Sequence, residues 1–340
     1  MKTDEFIGGR TWLVAGTVKQ ISDIALGGIA IAAATIALAN INRNPFGHWD
    51  RLNEWFFPTV VGGLLAIVAF VLMLRGAAFG GVHRERWRIR DMLIIAAAVV
   101  AASLAGWEWG WRLLLQMGPS DLVMLMLFEL AIAIALARAS RLRALTMLLL
   151  GLLLGTVGTD VETGVARFTM GVDELVDGIG TAIAALGLVV VTDGMLCLVS
   201  PRLFVESYAR QIAEWTAPSV LTIVSVCLRI LAAIAIAAAS YYSYTLNAST
   251  WDVSMLFVFG AFGVACRIFG WNRLLLILAL AWSPLLEEDI RRAMLISRGD
   301  PAIFIRWPFG GSLLLMICAI LVLLAVASTR QAARRGAKPA

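Results

Sequence analysis

Long apolar runs dominate this chain of 340 residues. The runs hold roughly 16–24 residues each, and about 18 are enough for a helix to cross the hydrocarbon core of a bilayer. Lipid offers no hydrogen-bond partner to backbone N–H and C=O groups, so a run that lies in lipid must be helical. Only 15% of the residues are charged, against about 25% in a typical soluble domain. The sequence therefore predicts an all-α, polytopic protein of the lipid bilayer.

The apolar runs predict about ten transmembrane helices. Aromatic residues cluster at several of their ends, and Trp and Tyr prefer the level of the lipid headgroups. The predicted spans are residues 21–41, 58–74, 91–111, 119–137, 144–158, 175–199, 217–241, 253–266, 274–286 and 309–328.

The distribution of basic residues predicts the orientation of these spans. Lys and Arg are enriched in the cytoplasmic loops of membrane proteins. With the N-terminus placed inside, the cytoplasmic segments hold more than twice as many basic residues as the outside segments. We therefore expect both termini to be cytoplasmic and the protein to lie in the cell inner (plasma) membrane. The outside loop 287–307 fits least well, because it holds half of the outside basic residues.

Patterns of catalytic or metal-binding residues are weak in this sequence. The two histidines, His48 and His83, are far apart, and the spacing of the four cysteines matches no metal or redox motif. No nucleophile motif or Gly-rich phosphate loop occurs. The net charge of +5 reflects membrane topology. We expect no enzymatic activity, cofactor, metal ion or nucleic-acid partner.

Ionisable residues at membrane depth are the first candidates for function, because charges are costly in hydrocarbon. Glu129 lies in the middle of the fourth span, Asp193 in the cytoplasmic third of the sixth, and Arg229 within the seventh. Arg229 could pair with either carboxylate, which would lower the cost of both charges. These residues either form an ion or carboxylate pathway or join helices structurally.

The polar segment 159–177, between the fifth and sixth spans, is the second candidate. It is rich in hydroxyl groups, carboxylates and glycine, and Arg167 is its lone basic residue. A guanidinium binds a carboxylate in bidentate fashion, so Arg167 could bind a carboxylate substrate. It could as readily hold Asp160 or Asp177 and fix the loop. Asp160, Thr163, Arg167 and Asp177 join the candidates for a substrate or ion pathway.

The segment 287–297 has the pattern of an amphipathic helix. Glu287 and Arg291, like Glu288 and Arg292, stand four residues apart in the order that favours ion pairing on a helix. The apolar residues of the segment share another face. An interfacial helix that lies on the membrane or on a partner fits this pattern, and so does a simple solvated face.

Two N-terminal stretches carry a resemblance to a known family. One is DIALGG at residues 23–28, and the other is FPTVVGG at residues 57–63, which leads to Leu74, Arg75 and Gly76. The region 1–115, with three spans, resembles the small membrane subunit of tripartite tricarboxylate transporters.

Two later stretches carry a more specific resemblance. One is GLLLGTVGTDVETGVARFTMG at residues 151–171, continuing to Gly178, and the other is PLLEEDIRRAMLISRGD at residues 284–300, continuing to Pro308. The region 116–329, with about seven spans, resembles a shortened large membrane subunit of the same family. Residues 330–340 form a basic cytoplasmic tail. The order suggests that pieces of both subunits are fused in one chain.

The resemblance implies a component of a tripartite secondary transport system. Such a system imports tricarboxylates or related carboxylates by symport, with an extracytoplasmic solute-binding protein and further membrane subunits. The large subunit of the family carries Pro-Gly dipeptides in its substrate segments, whereas this chain contains no Pro-Gly dipeptide. The alternative is therefore a non-transporting membrane scaffold or accessory subunit derived from that family. The substrate, the coupling ion and the oligomeric state are not fixed by the sequence.

Overall fold

A computed structural model describes residues 4–39, 47–48, 51–52, 55–79, 117–137, 141–160, 162–199, 218–305 and 310–319. The predicted third span, residues 91–111, and the predicted tail, residues 330–340, lie outside the described residues. The described chain is mostly helical, as the apolar runs predict.

The α-helices and short strands follow one another in a simple order. The helices are α1 (Asp4–Ala39), α2 (Phe56–Phe79), α3 (Pro119–Leu136), α4 (Arg141–Leu154), α5 (Thr181–Leu186), α6 (Thr192–Val199), α7 (Pro218–Asn247), α8 (Thr250–Phe269), α9 (Arg273–Ile296) and α10 (Gly310–Ala319). A π-helical segment, Gly187–Val191, joins α5 to α6. Two antiparallel pairs of two-residue strands are β1 (Gly47–His48) with β2 (Arg51–Leu52), and β3 (Gly158–Thr159) with β4 (Ala166–Arg167). Short 3₁₀ helices lie at Asp173–Leu175 and Pro301–Ile305.

Six helices of the described chain are long and apolar enough to cross a membrane. The prediction of a helical chain with several spans is confirmed at this level. The count of ten and the orientation of the termini stay predictions. The candidate spans are Ser22–Ala39, Phe56–Leu74, Pro119–Leu136, Thr181–Val199, Arg229–Asn247 and Thr250–Phe269, and Gly310–Ala319 is a shorter apolar helix.

Packing divides the chain into two compact units. Unit 1 comprises Met1–Thr156 and Leu278–Ala340, and unit 2 comprises Val157–Ile277. This division reflects contacts between residues, whereas the predicted regions 1–115 and 116–329 reflect resemblance to two subunits. The predicted regions therefore stay a prediction.

Within unit 1, α1 packs along α2, and both helices contact α4. The buried face of α1 carries Leu26, Ala30 and Ala34 at helical spacing. The closest approach is at Gly27, where an added Cβ would lie 2.9 Å from the Ala69 carbonyl oxygen. Small residues let transmembrane backbones approach closely, so dispersion contacts hold this helix pair together.

A buried ion pair joins α1 to α4 within unit 1. Arg143 Nε donates to Asp23 Oδ1, and each side chain is less than one-tenth exposed. The predicted fifth span, residues 144–158, begins after Arg143 and leaves it in a loop. That boundary is wrong, because α4 begins at Arg141 and ends at Leu154. The carboxylate of Asp23 compensates the guanidinium charge inside the packed helices.

Within unit 2, the helix made of α5, the π-helical segment and α6 packs against α7 and α8. Glycines make this packing close. An added Cβ on Gly187 would lie 2.5 Å from the Leu256 carbonyl oxygen, and one on Gly263 would lie 3.0 Å from the Leu188 carbonyl oxygen. Backbone therefore meets backbone where α8 crosses the π-helical segment.

The π-helical segment interrupts the sixth predicted span. Thr192 Oγ1 lies 3.1 Å from the Gly187 carbonyl oxygen and 3.1 Å from the Gly260 carbonyl oxygen, so its hydroxyl can donate to either. The predicted span begins at residue 175, whereas the helix begins at Thr181. The chain turns before it, because Gly178 has a left-handed φ of 81° that ends any regular helix.

The sequence predicts a span at 274–286 and a separate amphipathic helix at 287–297, and the boundary between them is wrong. One helix, Arg273–Ile296, covers both, with Pro284 inside it. Proline lacks the backbone N–H that an ordinary helix residue donates. The preceding residue ties α9 to α4, because Ser283 Oγ donates to the Leu152 carbonyl oxygen at 2.6 Å. Gly155 permits this approach, since an added Cβ there would lie 2.8 Å from Ser283 Oγ.

Candidate functional site

The segment 158–180, which we call the hairpin loop, holds most of the predicted polar candidates. It begins at the β3–β4 strand pair and is fastened at its far end, since the backbone N–H and the hydroxyl of Thr159 both donate to the Val176 carbonyl oxygen, at 2.8 and 2.9 Å. Gly158 and Gly178 touch, because an added Cβ on Gly158 would lie 2.7 Å from Gly178 Cα. The loop therefore closes on itself through backbone contacts.

Asp160 organises the tight turn inside the hairpin loop. Its Oδ2 accepts from Thr163 Oγ1 at 2.6 Å and from the Thr163 backbone N–H at 3.3 Å. Its carbonyl oxygen accepts from the Gly164 N–H at 2.9 Å. Gly164 has a left-handed φ of 70°, as such a turn requires. The Asp160 side chain is thus buried and fully engaged in shaping the turn.

Arg167 lies beside Asp160 in the loop. Its Nη2 is 3.6 Å from Asp160 Oδ1, and both side chains are about 6% exposed. Of the two carboxylates predicted as partners, the structure shows the contact with Asp160, whereas Asp177 is exposed. A buried guanidinium needs a charge-compensating partner. This contact favours the structural alternative for Arg167 over direct substrate binding, although the sequence left both open.

The residues after Arg167 adopt strained backbone conformations. Phe168 and Met170 have left-handed φ values of 56° and 50°, followed by Gly171 at 78°. Non-glycine residues seldom adopt this conformation, and when they do they cluster at ligand clamps and switch regions. Met170 is 69% exposed. This part of the hairpin loop therefore presents a strained, apolar tip to its surroundings.

A small cleft lies between the hairpin loop and the start of α8, within unit 2. Asp252 contributes its only carboxylate, and this group accepts from Asn247 Nδ2 at 2.8 Å. The cleft has room for about one water molecule, so it does not hold a carboxylate substrate in this conformation. Its lining residues are Leu175, Gly178, Ile179, Gly180, Ile183, Trp251, Asp252 and Met255.

Asp193 lies on α6, towards the end of the Thr181–Val199 helix that is far from the hairpin loop. It accepts from Arg267 Nη1 at 2.8 Å and from Arg273 Nη2 at 2.7 Å. Arg273 Nη1 also donates to the Leu188 carbonyl oxygen, at 2.9 Å, inside the π-helical segment. The sequence offered Arg229 as one possible partner of Asp193, and the structure shows Arg267 and Arg273 in that role. Two other arginines satisfy Asp193, because the turn between α8 and α9 brings both of them to this carboxylate.

The two remaining candidates are Arg229 and Glu129. Arg229 is exposed on α7, at the start of the candidate span Arg229–Asn247. Glu129 is half-buried in the middle of α3, in unit 1. Their proposed pairing stays a prediction. In the described part of the chain, no group of three or more His, Cys, Asp or Glu residues is arranged to hold a metal ion.

The charged pairs of α9 differ from each other in burial. Arg291 Nη2 lies 2.5 Å from Glu287 Oε1, with both side chains about 5–6% exposed. Arg292 pairs with Glu288, and its side chain is 55% exposed. Both predicted pairs form. Of the two alternatives left open by the sequence, a simple solvated face does not hold for Glu287 and Arg291, because both side chains are buried within unit 1.

Asp289 lies between these two pairs in the sequence, and its carboxyl leads to a prediction about the pH dependence of stability. Burial raises the pKa of the Asp289 carboxyl above its ordinary value. The nearby Arg292 guanidinium lowers this pKa, whereas the Glu288 carboxylate raises it further. A raised pKa means that the folded protein binds the proton more tightly than the unfolded chain, so this group adds stability as pH falls through the folded pKa. We expect Asp289→Asn to stabilise the protein at pH 7, and the gain to vanish towards about pH 4. Thermal unfolding in detergent at both pH values measures this, and Asp177→Asn, which removes an exposed carboxylate in unit 2, is the control.

The turn at Asp160 supplies a second test. Thr163→Val removes one hydroxyl hydrogen bond to a buried carboxylate, which we expect to cost about 1.5–3 kcal/mol of local stability. Thr163→Ser retains the hydroxyl and should behave like the native protein. Protease cleavage within the hairpin loop reports the difference. Equal cleavage rates for the Val and Ser variants would show that the hydrogen bond does not hold the turn.

Three long-range ion pairs were not predicted from the sequence. Asp23 was named only within the DIALGG stretch, and Arg267 and Arg273 were not among the candidates, although all three form ion pairs with distant residues. A weak signal existed, because Arg267 and Arg273 flank the GWN turn between two apolar runs. This pattern locates the ends of the two spans, but it does not identify Asp193 as the carboxylate with which both arginines pair.

These features define a helical membrane protein with several candidate spans and a polar loop, built on the buried Asp160–Arg167 contact, between two of its helices. Residues 92–202 of the chain match the model of the tripartite tricarboxylate transporter TctA family. The match covers about a third of the chain and includes the stretch 151–171. The resemblance to this family's membrane components is thereby confirmed for that segment. The stretch 284–300 and the N-terminal stretches lie outside the match, and their assignments stay predictions.

Two curated proteins of Agrobacterium vitis are similar to parts of the chain. One, described as an uncharacterized protein in the TAR-II ttuC' 3'region, is 41% identical over 88 residues, which are 25% of this chain and 36% of the relative. The other, an uncharacterized 52.8 kDa protein in the TAR-I ttuC' 3'region, is 39% identical over 83 residues, 24% of this chain and 16% of the relative. The chain thus covers 36% of the first relative's length and 16% of the second's. No solved structure matches it significantly.

Proposed function

We propose that this chain is a membrane component of a tripartite secondary transport system for tricarboxylates or related carboxylates. The family match over residues 92–202 carries this proposal. That segment contains α3 to α6, and with them Glu129, the hairpin loop and Asp193. An extracytoplasmic solute-binding protein would deliver the substrate, further membrane subunits would complete the system, and symport with an ion would drive import across the inner membrane.

The hairpin loop is the part of the proposed component that would face the solute-binding protein. Its orientation outside follows from the positive-inside prediction. The Asp160–Arg167 contact and the paired glycines Gly158 and Gly178 support a rigid base, and the strained tip at Phe168–Met170 supports a contact surface. Arg167 then positions the loop, and substrate recognition lies with groups that the loop brings together.

Uptake into proteoliposomes tests the proposal. The full chain is reconstituted with its purified solute-binding protein and any membrane subunit that co-purifies with it, and labelled di- and tricarboxylates are supplied with and without a sodium or proton gradient. We expect uptake of a carboxylate that needs both the binding protein and a gradient. A well-folded protein that gives no uptake with any of these substrates would contradict transport.

Arg167→Lys separates the two roles of Arg167 within that assay. Lysine keeps the charge and loses the planar fork that binds a carboxylate in bidentate fashion. If Arg167 fixes the loop, uptake and thermal stability should fall together. If Arg167 binds substrate, the KM should rise about tenfold or more while thermal stability stays unchanged.

The second candidate function is a non-transporting scaffold or accessory subunit. One observation favours it, since the chain contains no Pro-Gly dipeptide, although the resembling large subunits carry such dipeptides in their substrate segments. The small size of the cleft beside the hairpin loop agrees with it. Stable co-purification with another membrane protein, together with no uptake by this chain alone or in that complex, would support the scaffold.

A further inference from the structure

Three candidate spans end together at one end of unit 2. The spans Thr181–Val199, Arg229–Asn247 and Thr250–Phe269 reach this end at Val199, Arg229 and Phe269. Contacts between them fix the alignment, because Asp193 bonds Arg267, and an added Cβ on Gly194 would meet Ile236 at 2.8 Å. A span ends where the hydrocarbon ends, so this end of unit 2 lies at the level of the lipid headgroups.

The same end carries an excess of positive charge. Arg267 and Arg273 share the single carboxylate of Asp193. Arg229 begins the candidate span Arg229–Asn247 at this same end and is exposed. We call Arg229, Arg267 and Arg273 the arginine cluster. Among the described residues, these three guanidinium groups and one carboxylate leave a local charge of about +2 at neutral pH.

The arginine cluster is reachable from outside the protein. The side chains of Asp193, Arg267 and Arg273 are 25%, 28% and 17% exposed, and Arg229 is exposed. The Asp23–Arg143 pair, by contrast, is enclosed. Guanidinium groups present several N–H donors in a planar fork that matches the oxygens of a phosphate. An anion can therefore approach the cluster without unfolding it.

Exposed apolar side chains adjoin the arginine cluster. Ile230, Ile268 and Leu274 each follow one of the three arginines in the sequence, Val199 ends the candidate span Thr181–Val199, and all four are 49–81% exposed. Trp271 is buried in the turn between α8 and α9 and stacks on Phe269, with ring centroids 5.0 Å apart. A ligand at this position would meet a charged group and a hydrocarbon surface together.

We propose that the arginine cluster binds the phosphate headgroup of an anionic phospholipid, whose acyl chains lie on the apolar side chains around it. Basic pockets between transmembrane helices at a membrane surface bind such headgroups. Inorganic phosphate offers the same oxygens without the chains, and the exposed apolar rim favours the lipid. This site is independent of the proposed carboxylate transport, because its ligand is a membrane constituent.

Native mass spectrometry of the purified full chain in detergent tests the proposal. Phosphatidylglycerol, phosphatidylcholine and inorganic phosphate are added separately, and bound molecules are counted as a function of concentration. We expect one tightly bound phosphatidylglycerol, and weaker binding of phosphatidylcholine and phosphate. Arg229→Gln should weaken phosphatidylglycerol about fivefold, the value of one charge at a membrane surface. Asp193→Asn removes the competing carboxylate and should strengthen it by up to about fivefold.

Arg292→Gln is the matched control, since it removes an exposed arginine from unit 1 and should leave the tight site unchanged. Equal affinity for phosphatidylglycerol and phosphatidylcholine would overturn the proposal. So would inorganic phosphate binding as tightly as phosphatidylglycerol, which would make the site one for a free anion. Arg229→Gln and Arg292→Gln with the same affinity would also overturn it. Arg229 is exposed, so its variant should fold, and size-exclusion chromatography confirms that state.

Discussion

Arg143→Met should destabilise the protein by about 3–5 kcal/mol, because it leaves the Asp23 carboxylate without its guanidinium partner inside packed helices. Arg143 and Asp23 are 9% and 1% exposed in their side chains. Unfolding of the purified protein by titration with SDS, followed by circular dichroism, measures the loss. The fraction of protein that elutes as a single folded species should fall in parallel.

The double variant Asp23→Leu/Arg143→Met distinguishes a lost charge partner from lost packing. Replacing both charges with apolar side chains of similar size removes the uncompensated carboxylate, so the double variant should be closer to the native protein than the single variant is. Arg292→Met, which breaks an exposed pair, should cost at most about 1 kcal/mol. A double variant as damaged as Arg143→Met would contradict the role of this ion pair.

Gly263→Ala should destabilise the protein by about 2–4 kcal/mol, although alanine favours a helix. The new Cβ would overlap Thr192 Oγ1 and lie 3.0 Å from the Leu188 carbonyl oxygen. The Thr192 hydroxyl cannot move away without leaving the Gly187 and Gly260 carbonyl oxygens. The helices would separate where α8 crosses the π-helical segment. The same SDS titration measures the effect.

Gly63→Ala on α2 is the matched control for that substitution. An added Cβ at Gly63 meets no atom within 4 Å, so this variant should be neutral or stabilised by up to about 1 kcal/mol. Thr192→Ala combined with Gly263→Ala removes the overlapping oxygen and should recover part of the loss. If Gly263→Ala behaved like Gly63→Ala, the close crossing of α8 with the π-helical segment would be wrong.

Local interactions were largely readable from the sequence. The pairs Glu287–Arg291 and Glu288–Arg292 form as predicted, because helix geometry alone brings residues four apart together. The helical spans follow from the apolar runs for the same kind of reason, since lipid permits no unpaired backbone. The segment 151–171 was identified as the family's, and the family match confirms it.

Ion pairs between residues far apart in the sequence could not be predicted. Asp23 and Arg143 stand 120 residues apart, and Asp193 stands 74 and 80 residues from Arg267 and Arg273. With many arginines available, the sequence offered Arg229 to Asp193 as readily as any other. The choice depends on which helix ends meet in space. Burial of Glu287 and Arg291 likewise depends on what packs over α9, which periodicity on one helix does not reveal.

The sequence by itself determined that this protein is helical and rich in candidate membrane spans, because the cost of unpaired backbone and of charge in hydrocarbon restricts composition strongly. The sequence also determined the relation of residues 92–202 to a transporter family. The tertiary structure decided where α4 and the Thr181–Val199 helix begin, that α9 runs through Pro284 without a break, and which carboxylate holds which arginine. Those outcomes depend on close contacts at glycines such as Gly155 and Gly263. Only the packed helices bring such distant groups to within a few ångströms of each other.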